Sequence, residues 1–139
     1  MARQYISGMI LAAGLLAASV TPAAAQTSAS GAAPPLAVEH GKFTMKTGEQ
    51  IYKQVCSGCH MPDGKGASGA GIYPALAGNP KLAAPTFPAF VIIKGQKGMP
   101  PFGSLFDDSQ VAEVVNYVRS HFGNSFPGQV TAADVHSMR

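Results

Sequence analysis

The sequence has little charge and no dense basic segment. Charged side chains make up 12% of the 139 residues, and ten Lys and Arg against seven Asp and Glu give a formal net charge of +3. Proteins that bind nucleic acid concentrate Lys and Arg in one run or on one face, and this chain has no such run. We therefore expect no nucleic-acid partner.

Long hydrophobic runs are also lacking, apart from one near the start. The run from Ile6 to Val20 follows Arg3 and precedes a break at Thr21-Pro22 and three alanines, Ala23 to Ala25. Its length of about 15 residues is short of the roughly 20 that cross a bilayer, and the pattern is typical of an export signal. We predict that residues 1–25 are a cleaved signal peptide, with an uncleaved anchor as the alternative. The mature chain is then expected in the periplasm, without stable membrane insertion.

The chain has no tryptophan, and it is rich in Gly and Pro, with 16 and 11 of them. Residues 26–43 are predicted to be a flexible N-terminal segment, since Ala, Ser and Pro dominate there. One small domain is expected at 44–124, followed by a C-terminal tail at 125–139. A core of about 80 residues contributes only a few kcal/mol, so this domain is expected to need a further stabilising group.

Cysteine is scarce: the two in the chain are Cys56 and Cys59, and His60 follows directly. A disulfide between them would close too small a loop to stabilise the domain much. A redox-active pair normally follows a strand, whereas the segment from Glu49 to Val55 has a helical pattern that begins at Thr47. A zinc site needs four ligands, and Cys56, Cys59 and His60 supply only three. The other histidines are scattered through segments expected at the surface: His40, His121 and His136.

The remaining interpretation of the pair is a covalently attached haem. Cys-x-x-Cys-His is the attachment signature of c-type haem. Two thiols in one tight turn can each bond a haem vinyl group, and the next imidazole then faces the iron. We favour this interpretation because the chain is predicted to be exported and has no other cysteine. Cys56 and Cys59 are the candidate attachment residues, and His60 is the candidate iron ligand.

A methionine is the candidate for the opposite side of the iron. Five of the six lie in the signal peptide, before the first helix, beside His60 or in a tail expected to be mobile: Met1, Met9, Met45, Met61 and Met138. Met99 remains, among glycines that let the backbone come close to the ring and prolines that stiffen the loop. The alternative is that Met99 only fills core space. An open iron would suit a haem sensor or a peroxidase-like enzyme.

The clearest helical pattern lies near the C-terminus. Asp107 or Asp108 can cap this helix, and Gly123 suits the position that ends it. Its apolar residues fall on one stripe: Val111, Val114, Val115, Val118 and Phe122. Thr131 can cap a further short helix in the tail.

Four segments give residues 47–124 a resemblance to the class I cytochromes c of the small bacterial, periplasmic kind. They are CSGCH (56–60), YPALAGNP (73–80), GMPPFG (98–103) and VVNYVRSHFGN (114–124). The resemblance implies an all-α cytochrome c fold, in which three to five short helices wrap round one covalently bound haem c.

The resemblance also implies roles for single residues. Cys56 and Cys59 would form the thioether bonds. His60 and Met99 would be the axial ligands, and the Pro74 carbonyl would accept a hydrogen bond from the imidazole. The first and last helices would cross at Gly48, Tyr52 and Tyr117. Thr86 to Lys94 would be a helix rather than a strand, with these residues lining the haem pocket: Phe87, Phe90, Val91 and Ile92 or Ile93.

A haem iron with His and Met ligands mainly moves electrons. We therefore interpret the chain as a periplasmic electron carrier that cycles between Fe(III) and Fe(II), and not as an enzyme. Its partners would be redox proteins, and a free-standing carrier would be a monomer. The alternatives are a haem-bearing subunit of a periplasmic dehydrogenase complex, and a haem sensor or peroxidase-like protein with a displaceable Met99. Four lysines beside the haem loops are candidates for steering an acidic partner: Lys53, Lys65, Lys94 and Lys97.

Overall fold

The computed structural model describes residues 38–39, 41–69 and 71–139, and these parts of the chain are mainly helical. The predicted signal peptide and most of the predicted flexible segment lie outside the described residues. The helical elements are α1 (Gly48–Ile51), a π-helical segment (Tyr52–Cys56), α2 (Ser57–His60), a 3-10 helix (Pro80–Ala83), α3 (Thr86–Lys94), α4 (Asp108–Ser120) and α5 (Ala132–His136). Two short antiparallel pairs join β1 (Val38–Glu39) to β2 (Lys42–Phe43) and β3 (Ala67–Ser68) to β4 (Ile72–Tyr73). The predicted all-α class is confirmed. None of the described helices is long and apolar enough to cross a membrane.

The first helical stretch begins where the sequence predicts. Thr47 Oγ1 accepts a hydrogen bond from the Gln50 amide at 3.3 Å, and Gln50 Oε1 accepts one from the Thr47 amide at 3.4 Å. Both halves of the capping box are therefore present. The helix then widens into the π-helical segment, where the Ser57 amide donates to the Tyr52 carbonyl. The Ser57 hydroxyl also donates to the Lys53 carbonyl, at 2.7 Å. The sequence predicts an ordinary helix here and gives no sign of the wide turn.

The start of α4 also follows its sequence. The Asp107 carboxylate accepts a hydrogen bond from the Gln110 amide at 2.8 Å, and Gln110 Oε1 accepts one from the Asp107 amide at 2.9 Å. The predicted apolar stripe faces the core through Val111, Val114, Val115 and Val118, all of which are buried. β-Branched residues are mediocre helix formers, so packing rather than propensity stabilises this helix.

The end of α4 differs from the prediction. The helix stops at Ser120, and Phe122 and Gly123 both have positive φ, 58° and 78°. Phe122 therefore leaves the helical stripe, but its ring still packs, with its centroid 4.6 Å from that of Tyr52. Contact with another helix thus decides the position of this side chain, and the periodic pattern does not.

The helices α1 and α4 cross at the predicted glycine. A Cβ on Gly48 would lie 2.2 Å from the Glu113 carbonyl oxygen and 2.6 Å from Tyr117 Cβ, so a side chain does not fit between the backbones. Beside this crossing, the rings of Tyr52 and Tyr117 lie 5.6 Å apart between centroids, tilted by 42°. Such an aromatic pair adds about 0.5–1.5 kcal/mol beyond the area it buries.

The C-terminal residues pack on the domain, which differs from the mobile tail expected from the sequence. Thr131 Oγ1 accepts a hydrogen bond from the Asp134 amide at 3.2 Å and so caps α5, as predicted. Val130 and Val135 are buried. The Asn116 side chain on α4 donates to the Val130 carbonyl at 2.9 Å and accepts from the Val130 amide at 2.8 Å. A few well-placed anchors hold this segment, and they form no periodic pattern in the sequence.

Arg119 on α4 is a buried cation, only 2% exposed. Its guanidinium donates to the carbonyls of Leu82 at 3.0 Å, Pro127 at 2.7 Å and Gly128 at 2.5 Å. Because a buried charge must have its donors satisfied, these bonds determine where the 3-10 helix and the chain after α4 lie.

Candidate cofactor site

His60 ends α2 with its side chain buried, 9% exposed. The ring Nδ1 lies 2.9 Å from the carbonyl oxygen of Pro74. A carbonyl oxygen only accepts hydrogen bonds, so Nδ1 carries a proton, and in the neutral ring Nε2 then keeps its lone pair. The imidazole is therefore held in the tautomer that binds a metal through Nε2. The contact matches the one that the resemblance implies.

A glycine in the following loop lets Pro74 approach His60. Gly66 has a φ of 67°, and a Cβ there would lie 2.1 Å from the Tyr73 carbonyl oxygen. Any other residue would push the segment of Tyr73 and Pro74 away. The Gly66 amide also donates to the His60 carbonyl, at 3.0 Å. The sequence shows this glycine, but it gives no sign of which residue Gly66 must make room for.

Tyr52 braces the chain directly after the histidine. Its hydroxyl donates to the Met61 carbonyl at 2.7 Å. Burial raises the pKa of Tyr52 to about 12, so the hydroxyl keeps its proton and stays a donor. Tyr52 thus has a second role beside the predicted helix crossing, and no local sequence signal indicates it.

Cys56 and Cys59 are free thiols within the same helical stretch, Cys56 half-buried and Cys59 exposed. Burial raises the pKa of Cys56 to about 12, so this thiol stays protonated at neutral pH. A redox-active dithiol has the opposite property, because its attacking cysteine has a lowered pKa. The raised pKa of Cys56 therefore argues against this residue as the attacking thiol of a thiol–disulfide catalyst.

The zinc interpretation gains no support from the described residues. Within 38–39, 41–69 and 71–139, no three His, Cys, Asp or Glu side chains are grouped so that they could hold a metal ion. His121 Nδ1 lies 2.9 Å from the Tyr117 carbonyl oxygen, and His136 Nδ1 lies 3.1 Å from the Asp108 carboxylate. Both are exposed. His40 lies outside the described residues.

Met99 lies on the loop after α3. Its amide and carbonyl exchange two hydrogen bonds of 3.0 Å with the backbone of Gln96. A Cβ on Gly95, whose φ is 73°, would lie 2.7 Å from the Met99 carbonyl oxygen, so glycine allows this tight turn. The Met99 side chain is half-buried against the hydrophobic core, as is Cys56. A braced backbone of this kind suits a ligand that must hold its position.

Several large apolar side chains are exposed on α3 and β4. Ile72 is 86% exposed and Phe90 51%, and Tyr73 and Phe87 are exposed as well. Of the residues predicted to line a haem pocket, Ile92 and Ile93 are instead buried in the core. Large exposed apolar groups indicate a surface that binds an apolar group or a partner.

These residues fit a covalently attached haem. Two free thiols stand in one helical stretch with a buried histidine whose Nε2 is available. The exposed rings on α3 and β4 offer apolar contacts for a porphyrin. Met99, on its own braced loop, offers a soft sulfur as a second ligand.

Known proteins with similar sequences are cytochrome subunits of dehydrogenases. The cytochrome c subunit of alcohol dehydrogenase (quinone) from Gluconobacter oxydans (strain 621H) is 35% identical over 105 residues, covering 66% of this chain and 22% of that protein. The corresponding subunit of Gluconacetobacter polyoxogenes is 37% identical over 112 residues, covering 71% and 24%. The gluconate 2-dehydrogenase cytochrome c subunit of Pantoea cypripedii is 37% identical over 106 residues, covering 68% and 24%. The chain thus spans less than a quarter of the length of each of these relatives.

A protein-family model described as "Cytochrome C oxidase, cbb3-type, subunit III" matches residues 43–118, more than half of the chain. The match begins at the end of β2 and includes the Cys-x-x-Cys-His motif, Pro74 and Met99. It therefore covers every segment of the candidate site. The chain belongs to the cytochrome c family that this model describes, and it is a class I c-type cytochrome, a carrier of electrons.

Proposed function

We propose that the chain is a periplasmic electron-transfer protein that serves as the haem-bearing subunit of a dehydrogenase complex. The observation that carries the electron-transfer part is the His60 imidazole, fixed by Pro74 and placed directly after two free thiols. The names of the relatives support the dehydrogenase part, since they denote subunits of alcohol, gluconate and fructose dehydrogenases. The substrate class would then be alcohols and sugar derivatives, oxidised by a partner subunit.

Each residue of the site has a distinct role in this proposal. A bound haem c would supply a one-electron couple between Fe(III) and Fe(II). Cys56 and Cys59 would hold it through thioether bonds, and Pro74 would keep the His60 ring oriented and more basic. The Met99 thioether would favour the softer, reduced iron and so would raise the reduction potential.

A free-standing shuttle is the second candidate, since the predicted export of the chain would serve a shuttle and a subunit equally well. Such a shuttle would also carry electrons, so the two candidates differ only in whether a dehydrogenase holds the chain. We favour the subunit because the similar proteins are named as dehydrogenase subunits.

Two measurements test the proposal. The full chain, produced in cells that mature c-type cytochromes, should show a haem spectrum that changes on dithionite reduction and stays with the protein after acid-acetone extraction. A tagged chain isolated gently from its own cells should carry dehydrogenase activity towards ethanol, gluconate or fructose with an artificial acceptor. A colourless or extractable product contradicts the haem assignment. Coloured protein free of such activity indicates the shuttle.

The charges of the four lysines beside the haem loops should affect encounter rates with redox partners. Lys53 and Lys65 are paired with Glu49 at 2.6 Å and with Asp63 at 3.1 Å, so carboxylates offset their field. No ion pair joins Lys94 or Lys97 to a carboxylate among the described residues. These two are therefore the better candidates for steering.

We expect Lys94→Gln with Lys97→Gln to slow oxidation of the reduced protein by ferricyanide about two- to fivefold at low salt. The effect should shrink as salt is added, because screening weakens the field. Stopped-flow absorbance measures the rate. The double variant Lys46→Gln with Lys81→Gln removes the same charge from other exposed positions and should change the rate less. Equal effects of the two double variants would mean that only net charge matters.

A further inference from the structure

Arg139 connects the C-terminal segment to the loop that carries Met99. Its Nη2 donates to the Phe106 carbonyl at 2.8 Å, and its Nη1 donates to the Gly103 carbonyl. Its Nε donates to the Asp108 carboxylate. One guanidinium therefore joins the end of the Met99 loop to the first turn of α4. A planar guanidinium presents its donors in a fixed, spread arrangement that suits these three separate acceptors, whereas the three donors of an ammonium group share one nitrogen.

The same loop is bonded to α3 on its other side. The Phe102 amide donates to the Ile92 carbonyl at 2.8 Å, and the Gly103 amide donates to the Ile93 carbonyl at 3.3 Å. Gly103 is therefore held through both its polar backbone groups, by α3 and by Arg139. A shift of this residue would move the chain that leads back through two prolines to Met99.

The segment that carries Arg139 has anchors of its own. Val135 on α5 is fully buried. His136 Nδ1 lies 3.1 Å from Asp108 Oδ2, and the Arg139 amide donates to the His136 carbonyl at 3.3 Å. The hydrogen bond from Arg139 lowers the pKa of Asp108, so this carboxyl is charged at neutral pH. The guanidinium is thus attached to a fixed element rather than to a loose end.

We propose that Arg139 is a positioning residue for Met99: it clamps the turn from Gly103 to Phe106 and so keeps the methionine sulfur in place at the iron. The inference rests on the proposed function, in which Met99 is the second axial ligand. Without the clamp, the loop is bonded on one side only and opens more often. An external ligand can replace Met99 only in molecules whose Met99 loop is open. The apparent affinity for that ligand therefore rises with the fraction of open molecules and measures how well Arg139 holds the loop.

The test uses the full haem-loaded chain and the variant Arg139→Gln. Imidazole should bind the ferric variant about tenfold more tightly than it binds the wild type. Amide hydrogen exchange at Phe102 and Gly103 should be about tenfold faster, while exchange within α4 stays unchanged. Arg139→Lys keeps the charge but loses the planar arrangement of donors, so its imidazole affinity and exchange rates should resemble those of Arg139→Gln. Lys81→Gln, the charge-matched control on the 3-10 helix, should resemble the wild type.

Three outcomes overturn the inference. Unchanged exchange at Phe102 and Gly103 would mean that Arg139 does not hold the loop. Faster exchange with unchanged imidazole affinity would mean that it holds the loop without positioning Met99. If the wild type and Met99→Ala bind imidazole equally well, Met99 is not an iron ligand. That last result contradicts the axial ligation in the proposed function, and hydrogen exchange would still show whether the clamp exists.

Discussion

Replacing Met99 by alanine is expected to lower the reduction potential by roughly 100–200 mV, a fraction of the range of about 0.8 V that axial ligands span. The thioether stabilises reduced iron, and water or another oxygen ligand in its place does so less. The same change should let carbon monoxide bind the reduced protein and cyanide bind the oxidised protein quickly. Potentiometric titration followed by visible absorbance measures the first effect, and ligand titration measures the second.

Met138→Ala is the matched control for this change. Met138 is also half-buried against the hydrophobic core, but it lies on the C-terminal segment. Its loss removes no candidate iron ligand, so the potential should stay unchanged and any change in the ligand affinities should be far smaller than for Met99→Ala. If Met99→Ala also leaves them unchanged, Met99 only fills space. If the wild type itself binds carbon monoxide quickly, the sensor or peroxidase-like alternative is favoured.

The second large effect is expected for Cys56→Ala combined with Cys59→Ala. Without thiols no thioether bond can form, so the protein should lose its pigment in acid-acetone. The apo-chain should also fail to fold cooperatively, because exposed apolar residues such as Ile72 and Phe90 would stay uncovered. Circular dichroism during heating, together with the pigment extraction, measures both effects.

The structure makes this double variant easy to interpret. The two cysteines form no disulfide, and Cys59 is exposed, so removing its sulfur costs little packing, whereas Cys56 packs against the core and its truncation removes some contacts. A large loss of stability would therefore come from the missing haem. Cys59→Ala alone leaves one attachment residue and should keep pigment that resists extraction. A double variant that unfolds cooperatively at the wild-type temperature would show that the core suffices without haem.

The sequence predicted helix starts better than helix ends. The caps at Thr47, Asp107 and Thr131 all form, because a capping box depends on residues three positions apart. The sequence predicts that Gly123 ends α4, but the helix already ends at Ser120, and the Phe122 ring packs against Tyr52. Starts follow from local chemistry, whereas this end follows from a neighbour that lies far away in the sequence.

The candidate site likewise combines residues that are adjacent in sequence with contacts between residues that are far apart in sequence. The thiols and histidine are adjacent in sequence, so their chemistry could be inferred directly. Pro74 lies 14 residues after His60, and only the resemblance to a known family pointed to their contact. Arg139 lies 33 residues from its acceptor on Phe106, and nothing local in the sequence connects the two. Contacts of this second kind depend on how the elements pack.

The π-helical segment before the cysteine motif has a consequence for protein engineering. Each residue of a regular helix turns the chain by about 100°, so one extra residue within a turn changes the direction of every later side chain. Here the helix face at Gly48 contacts α4, whereas the His60 ring faces the Pro74 carbonyl. A haem-binding motif grafted onto a straight helix would direct its histidine to a different side of that helix. A successful transplant should therefore include Tyr52 to Cys56, and deletion of one residue there should misdirect the histidine even though the motif itself is intact.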